Sequence, residues 1–164
     1  MTATEATTLD ATAQDEQQYL TFIMAEEEYG VDILAVQEIR GWEESTLIPN
    51  APDYLKGVIN LRGTIVPIMD LRLRFGLPKV EYSPVTVVII LKMDDSSSSR
   101  VMGIVVDAVS DVYTISSGNT RKAPELSEDE NSEFIRGLVN VNEKMVILLD
   151  VASLLRLSDS IPGV

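Results

Sequence analysis

The sequence predicts a mostly β chain built as two similar small barrels, and three observations predict it. Hydrophobic residues make up 45% of the 164 positions while aromatics make up only 5%, so Val, Ile and Leu must fill the core. That bias toward β-branched side chains favours strands. The apolar runs are short and separated by turn residues, with no connection long enough for a regular βαβ series, which points to small barrels or a sandwich. Finally, the chain contains itself twice. Tyr54-Leu55-Lys56-Gly57-Val58-Ile59-Asn60-Leu61 aligns with Phe134-Ile135-Arg136-Gly137-Leu138-Val139-Asn140-Val141, and at the same offset of 80 Val66 meets Val146, Ile68 meets Leu148 and Asp70 meets Asp150. Upstream the offset is 73: Gly30 meets Gly103, Ala35 meets Ala108, Val36 meets Val109, Glu38 meets Asp111 and Ile39 meets Val112. A duplicated strand-rich unit implies two like barrels, roughly 19–83 and 84–157 with strands free to be exchanged between them. A pair of barrels makes a groove suited to an elongated partner.

The elements follow in order. Met1–Gln17 is polar and reads as a disordered tail. Tyr19 to Met24 and Tyr29 to Ile33 flank Glu26-Glu27-Glu28 and form a hairpin. Leu34 to Ile39 fits either a short helix or a bulged strand. Pro49 and Pro52 bracket a turn. Val58–Leu61 and Thr64–Met69 form a hairpin about Arg62-Gly63, with Pro67 marking a local edge. Asp70 caps a short helix from Leu71 to Phe75, stopped by Gly76 and Pro78. Val85 to Met93 is a strand, Asp94–Ser99 a polar loop and Val101 to Val106 the partner strand. Val109, Val112, Tyr113 and Ile115 continue as strand. Ser116 to Glu133 is an acidic stretch, long for a structureless loop. Ile135–Val141 and Met145–Leu149 form the last hairpin, Val151 to Leu157 a short amphipathic helix, and 158–164 a C-terminal tail.

Composition narrows the chemistry. The net charge is −13 and the pI about 4.3, which disfavours nucleic acid and anionic membrane surfaces as partners. With neither Cys nor His there is no disulfide, thiol nucleophile, imidazole ligand, Ser-His-Asp triad or phosphorylatable histidine. The N-terminus lacks the basic start and apolar core of a signal peptide, and no apolar run approaches the roughly 20 residues that span a bilayer. A soluble cytoplasmic protein is expected.

Individual motifs yield little catalysis. Asp94-Asp95 follows a buried-looking strand, as in a phospho-receiver, but the alternating βα pattern is missing. Asp70 and Asp150 each stand where a helix N-cap is wanted. Glu125, Glu128, Asp129, Glu130 and Glu133 lack calcium-loop spacing. Gly57, Gly63 and Gly76 make no phosphate loop. A carboxylate-dependent hydrolase and a nucleic-acid-binding barrel are the competing classes; converging carboxylates in a deep pocket would mark the first, while the acidic pI opposes the second. Glu38, inside an apolar stretch, and Arg62, at a hairpin tip, are the charges that could rim a partner-binding patch.

Two strings carry a family resemblance: Tyr29-Gly30-Val31-Asp32-Ile33-Leu34 with Val36-Gln37-Glu38-Ile39-Arg40, and Lys56 to Gly63 with Val66-Pro67-Ile68-Met69-Asp70-Leu71-Arg72. Together with Gly103 to Val112 they resemble the CheW family of chemotaxis coupling proteins, over about Tyr19 to Leu157. The resemblance implies two SH3-like five-stranded barrels with short helices. It implies a non-enzymatic adaptor, without cofactor, metal or catalytic residues, that joins methyl-accepting chemoreceptors to the histidine kinase CheA in receptor arrays. A coupler of a non-motility pathway, controlling pili or a second messenger, would carry the same motifs. The implied partners are the regulatory domain of CheA and the cytoplasmic hairpin tip of the receptors, with no nucleic acid and no membrane insertion. Receptor-binding positions carry over onto Val36, Glu38, Gly57, Arg62, Val87 and Val112, and kinase-binding positions onto Arg121 and Leu126. At Leu126 the family can place an aromatic residue. The same module occurs within CheA and within receiver-fused CheV, but the stand-alone coupler is the better match.

Overall fold

Several strands of this chain are apolar on both faces, because each of these separates two cores. The computed structural model describes residues 16–43, 45–94, 99–116, 118 and 133–157. Its strands are β1 (Glu16–Met24), β2 (Glu27–Asp32), β3 (Val36–Gly41), β4 (Leu55–Leu61), β5 (Thr64–Asp70), β6 (Val87–Asp94), β7 (Ser99–Val106), β8 (Ala108–Ser116), β9 (Ile135–Val141) and β10 (Lys144–Leu149). Two short helices, α1 (Leu71–Arg74) and α2 (Val151–Leu155), follow β5 and β10. The strands make two five-stranded sheets, ordered β8-β1-β2-β10-β9 and β3-β6-β7-β5-β4. These are the two small barrels, here the first and the second.

The sheets are not drawn from consecutive halves of the chain. The first barrel takes β1 and β2 from the N-terminal copy and β8, β9 and β10 from the C-terminal copy; the second barrel does the reverse. The exchange is made by parallel pairing. Ile68 of β5 lies opposite Gly103 of β7, and Leu148 of β10 lies opposite Gly30 of β2. These two pairs are equivalent under the sequence repeat, and both hairpins, β4–β5 and β9–β10, end their sheets at the same position. The second barrel also closes on itself: beyond β3, Thr46 N–H donates to Val58 O at 2.9 Å and Val58 N–H donates to Thr46 O at 2.8 Å.

Alternation along each strand supplies three apolar clusters. Val66, Ile68, Val88, Ile90 and Val105 fill the second barrel. Tyr19, Ile115, Val139, Val146 and Leu148 fill the first. Between the barrels lies the largest cluster, with Phe22, Met24, Met69, Ile89, Leu91, Met102, Ile104, Phe134 and Leu154 among its members. Ile89 and Leu91 thus face the central core while Val88 and Ile90 face the barrel, which explains the uninterrupted apolar run.

Local details refine the sequence reading. Leu34–Ile39 is a 3-10 turn over Ile33–Ala35 followed by a bulged strand. The tail ends sooner than Gln17: Glu16 and Gln17 already pair with Ser116 and Ile115, because backbone ladders need no apolar side chains. β7 starts at Ser99, opposite Asp94. Pro67 sits one residue before the β5–β7 ladder begins, so its missing N–H costs nothing there. Asp70 and Asp150 are N-caps, accepting from Leu73 N–H and Ser153 N–H at 3.2 Å each. Phe75 is the C-cap of α1, and α2 ends at Leu155. Met1–Asp15, most of the acidic stretch and 158–164 lie outside the described residues.

Candidate functional site

The Arg62-Gly63 turn joins β4 to β5 with φ of 52° and 88°, both left-handed. Asn60 Oδ1 steadies it by accepting from Gly63 N–H at 2.8 Å. The twist of a two-residue hairpin requires this geometry, which suits Asn or Gly at the first position. The repeat obeys that preference at the first position, with Asn142 at φ 51° in the equivalent turn, and departs from it at the second, where Glu143 sits at φ 69°. Arginine occupies position 62 against backbone preference, and its side chain is 71% exposed.

That side chain reaches across the seam of the second barrel. Arg62 Nη2 lies 3.0 Å from Glu38 Oε1 on β3, although β3 and β4 stand at opposite ends of the sheet order. Glu38 is shared: Arg40 Nε lies 3.6 Å from its Oε2, and Arg40 Nη2 lies 3.6 Å from Glu43 Oε2. Alternation puts Glu38 and Arg40 on one face of β3, partly buried, and leaves Ile39 exposed on the other. Gln37, Arg62, Thr64, Lys92 and Val101 line a groove of about 180 Å³ beside this network. A wider groove of about 500 Å³ runs past Leu34, Val36, Gln37 and Met93. The network can present a fixed, mixed-charge rim beside apolar surface.

Val36 opens β3 opposite Leu91, half-buried against the central core. Val87 starts β6 opposite Gly41 and packs against the same core. Gly57 is buried at a bulge in β4 with φ 130°; a Cβ there would strike Thr46 O, the atom that closes the barrel. Val112 is 45% exposed on β8, in the first barrel, apart from the others. It is the repeat counterpart of Ile39, which is 44% exposed. The structure therefore brings Glu38, Gly57 and Arg62 to the β3–β4 seam; Val36 lies on the same strand as Glu38 but packs on the central core, as Val87 does, and Val112 stands on the other barrel. Arg121 and Leu126 lie outside the described residues. Arg40 and Glu43 were missed, although Arg40's spacing of two from Glu38 on a strand was a signal that could have found it.

Among the described residues, no group of three or more carboxylates is placed to hold a metal, and no helix is long and apolar enough to cross a membrane. Trp42 is half-buried, packed on Tyr82 at 4.4 Å between ring centroids.

Residues 18–159 match the CheW-like domain family. The chain is 49% identical over 139 residues to chemotaxis protein CheW of Klebsiella aerogenes, covering 85% of this chain and 81% of that one. It is 30% identical over 139 residues to chemotaxis protein CheW of Bacillus subtilis, covering 85% and 86%. The crystal structure of scaffolding protein TtCheW from Thermoanaerobacter tengcongensis superposes with a TM-score of 0.72 at 32% identity, covering 82% of this chain and 84% of that one.

Proposed function

The chain belongs to the CheW family of chemotaxis scaffold proteins, and from that premise we propose that it is a non-enzymatic adaptor coupling methyl-accepting chemoreceptors to the histidine kinase CheA. It works in the cytoplasm, at receptor arrays. The receptor tip binds at the β3–β4 seam through Glu38 and Arg62, with Val36, Val87 and Val112 extending the contact. Gly57 contributes through shape, by admitting Thr46 and closing the seam. Arg121 and Leu126 face the kinase regulatory domain.

One observation carries this reading: Arg62 is kept at a left-handed turn position where its own repeat uses asparagine, and its exposed guanidinium is held by the half-buried Glu38. An exposed pair adds about 1 kcal/mol or less to folding. Broken local preferences of this kind accompany functional sites. At an interface, a desolvated arginine is worth about 2 kcal/mol or more, and its planar fork holds carboxylates or carbonyls in fixed geometry.

The test compares Arg62→Ala and Arg62→Asn. Asparagine suits the turn, so Arg62→Asn should not lower the melting temperature. Both variants should weaken receptor binding or receptor-dependent kinase activation about tenfold, while affinity for the isolated kinase regulatory domain changes much less. Unfolding of both variants would make Arg62 a structural residue. Intact receptor coupling in a stable variant would remove the receptor-binding role.

A further inference from the structure

The chain crosses from the second barrel to the first between β7 and β8, at Asp107. Two hydrogen bonds fix Asp107 to the end of β1 and to the β1–β2 turn of the first barrel. Its N–H donates to Ile23 O at 3.1 Å, and its Oδ2 accepts from Ala25 N–H at 3.0 Å. Ala25 sits at φ 53°, the ordinary geometry of the first position in a two-residue hairpin turn. From the second barrel, α1 sends Arg72 toward the same oxygen, with a side chain only 13% exposed. Yet Arg72 Nη1 stops 3.8 Å from Asp107 Oδ2, beyond hydrogen-bond reach. Arg72 Nε and Nη1 are buried without a hydrogen-bond partner among the described residues. Unsatisfied buried donors destabilise the state that holds them.

The fold does not demand this pair. Its repeat counterparts are Ala152 and Leu34, which carry no charge, and Leu34 is 89% exposed. The material between the barrels also differs from that inside them. Among the described residues, the buried methionines Met24, Met69 and Met102 all lie in the central core, and neither barrel core contains one. Methionine is unbranched and adapts to small displacements, whereas the Val and Ile of the barrels are stiff.

We infer that Arg72 and Asp107 form a latch between the two barrels with two settings. In the open setting, seen here, the two form an ion pair at 3.8 Å without a hydrogen bond. In the closed setting the barrels approach by about 1 Å and the guanidinium donates to the carboxylate. Packed interfaces of this kind shift between discrete arrangements rather than deforming continuously. A partner that spans both barrels favours one setting, and this is how occupancy at one barrel reaches the other. The last step rests on the adaptor reading proposed above; the latch itself does not.

The experiment is ¹⁵N relaxation dispersion on the full chain, read at Ala25 N–H, Asp107 N–H and Arg72 Nε–H. Exchange shared by all three, and lost in both Arg72→Gln and Asp107→Asn, is the expected result. Asp107→Asn keeps an acceptor oxygen for Ala25 and so separates charge from local structure. Flat profiles in the wild type, or exchange that survives both substitutions, overturn the latch. In reconstituted receptor–kinase assemblies both variants should reduce the receptor-controlled span of kinase activity at least threefold, with less than a twofold change in affinity for the isolated kinase domain. Normal control by both variants, with exchange lost, overturns the signalling role of the latch and leaves the adaptor reading standing. A wild-type chain that fails to bind the kinase domain overturns the adaptor reading, while the dispersion result still decides the latch.

Discussion

Gly57, Gly103 and Gly30 rank by what a methyl group would meet. At Gly57 the φ of 130° is strained for any other residue, and a Cβ would strike backbone at Thr46. Gly57→Ala should cost roughly 3 kcal/mol or more and open the β3–β4 seam. At Gly103 a Cβ would lie 2.6 Å from Ile68 Cδ1 and 2.8 Å from Val88 Cγ1; at Gly30 the nearest atom is Leu148 Cδ2 at 3.2 Å. Gly103→Ala should therefore cost about 2 kcal/mol, and Gly30→Ala clearly less. Urea unfolding of the three variants checks the order; a Gly57→Ala protein as stable as wild type would contradict the account of the seam. Tyr82 offers a pH-dependent companion. Burial, and then its 2.6 Å hydrogen bond to Asp70, push its hydroxyl pKa well above the ordinary value of 10.0. A raised folded-state pKa contributes stability below that ordinary value and loses it as pH rises through the folded one. Tyr82→Phe should cost about 2 kcal/mol near pH 7 and make the alkaline loss of stability above about pH 10 shallower.

At the scale of elements, the two hairpin–helix units are built alike and loaded differently. Asp70 N–H donates to Tyr54 O and Asp150 N–H to Phe134 O, each at 2.7 Å, so both caps hang from the equivalent residue of the repeat. Asp70 alone also receives the Tyr82 hydroxyl. Asp150→Ala should cost about 1 kcal/mol, the usual worth of a cap, and Asp70→Ala visibly more, because Tyr82 then loses its acceptor. Thermal unfolding of the two variants checks this; equal losses would mean that the Tyr82 bond is energetically idle. These caps, the hairpins and the repeat were legible because they depend on residues adjacent in sequence. The Arg40–Glu43 extension of the site was not singled out, because both look like ordinary solvated charge until β3 is laid against the barrel seam. Nor was the equivalence of β1 with β6 visible. Thr21 pairs with Gly30 as Ile90 pairs with Gly103, but the longer connection after Asp94 breaks the offset.

Across the whole molecule, each barrel depends on strands from both copies. Each half of the chain lacks the partners its strands need, so fragments 16–83 and 84–157 should each stay largely unfolded. Mixed together they should regain the native amide spectrum, since the cut falls in a connection between α1 and β6. A fragment that folds alone to a native-like barrel would show that the exchange is not required for stability. The central core explains the cooperativity expected of the intact chain: Phe22 and Phe134 belong to it from opposite ends of the sequence.

The amino-acid sequence by itself determined the strand-rich class, the duplication, the turn at Arg62-Gly63, the helix caps and the exclusion of histidine and cysteine chemistry. Each follows from local pattern or composition. Only the tertiary structure decided which copy supplies which strand, because parallel pairing of Ile68 with Gly103 and of Leu148 with Gly30 joins residues far apart in sequence. It alone brought Glu38 to 3.0 Å from Arg62, since closing a barrel joins the two ends of a sheet that local pattern treats as unrelated edges. It alone set Arg72 against Asp107, for a contact between barrels depends on how two finished cores pack and on no periodicity within either.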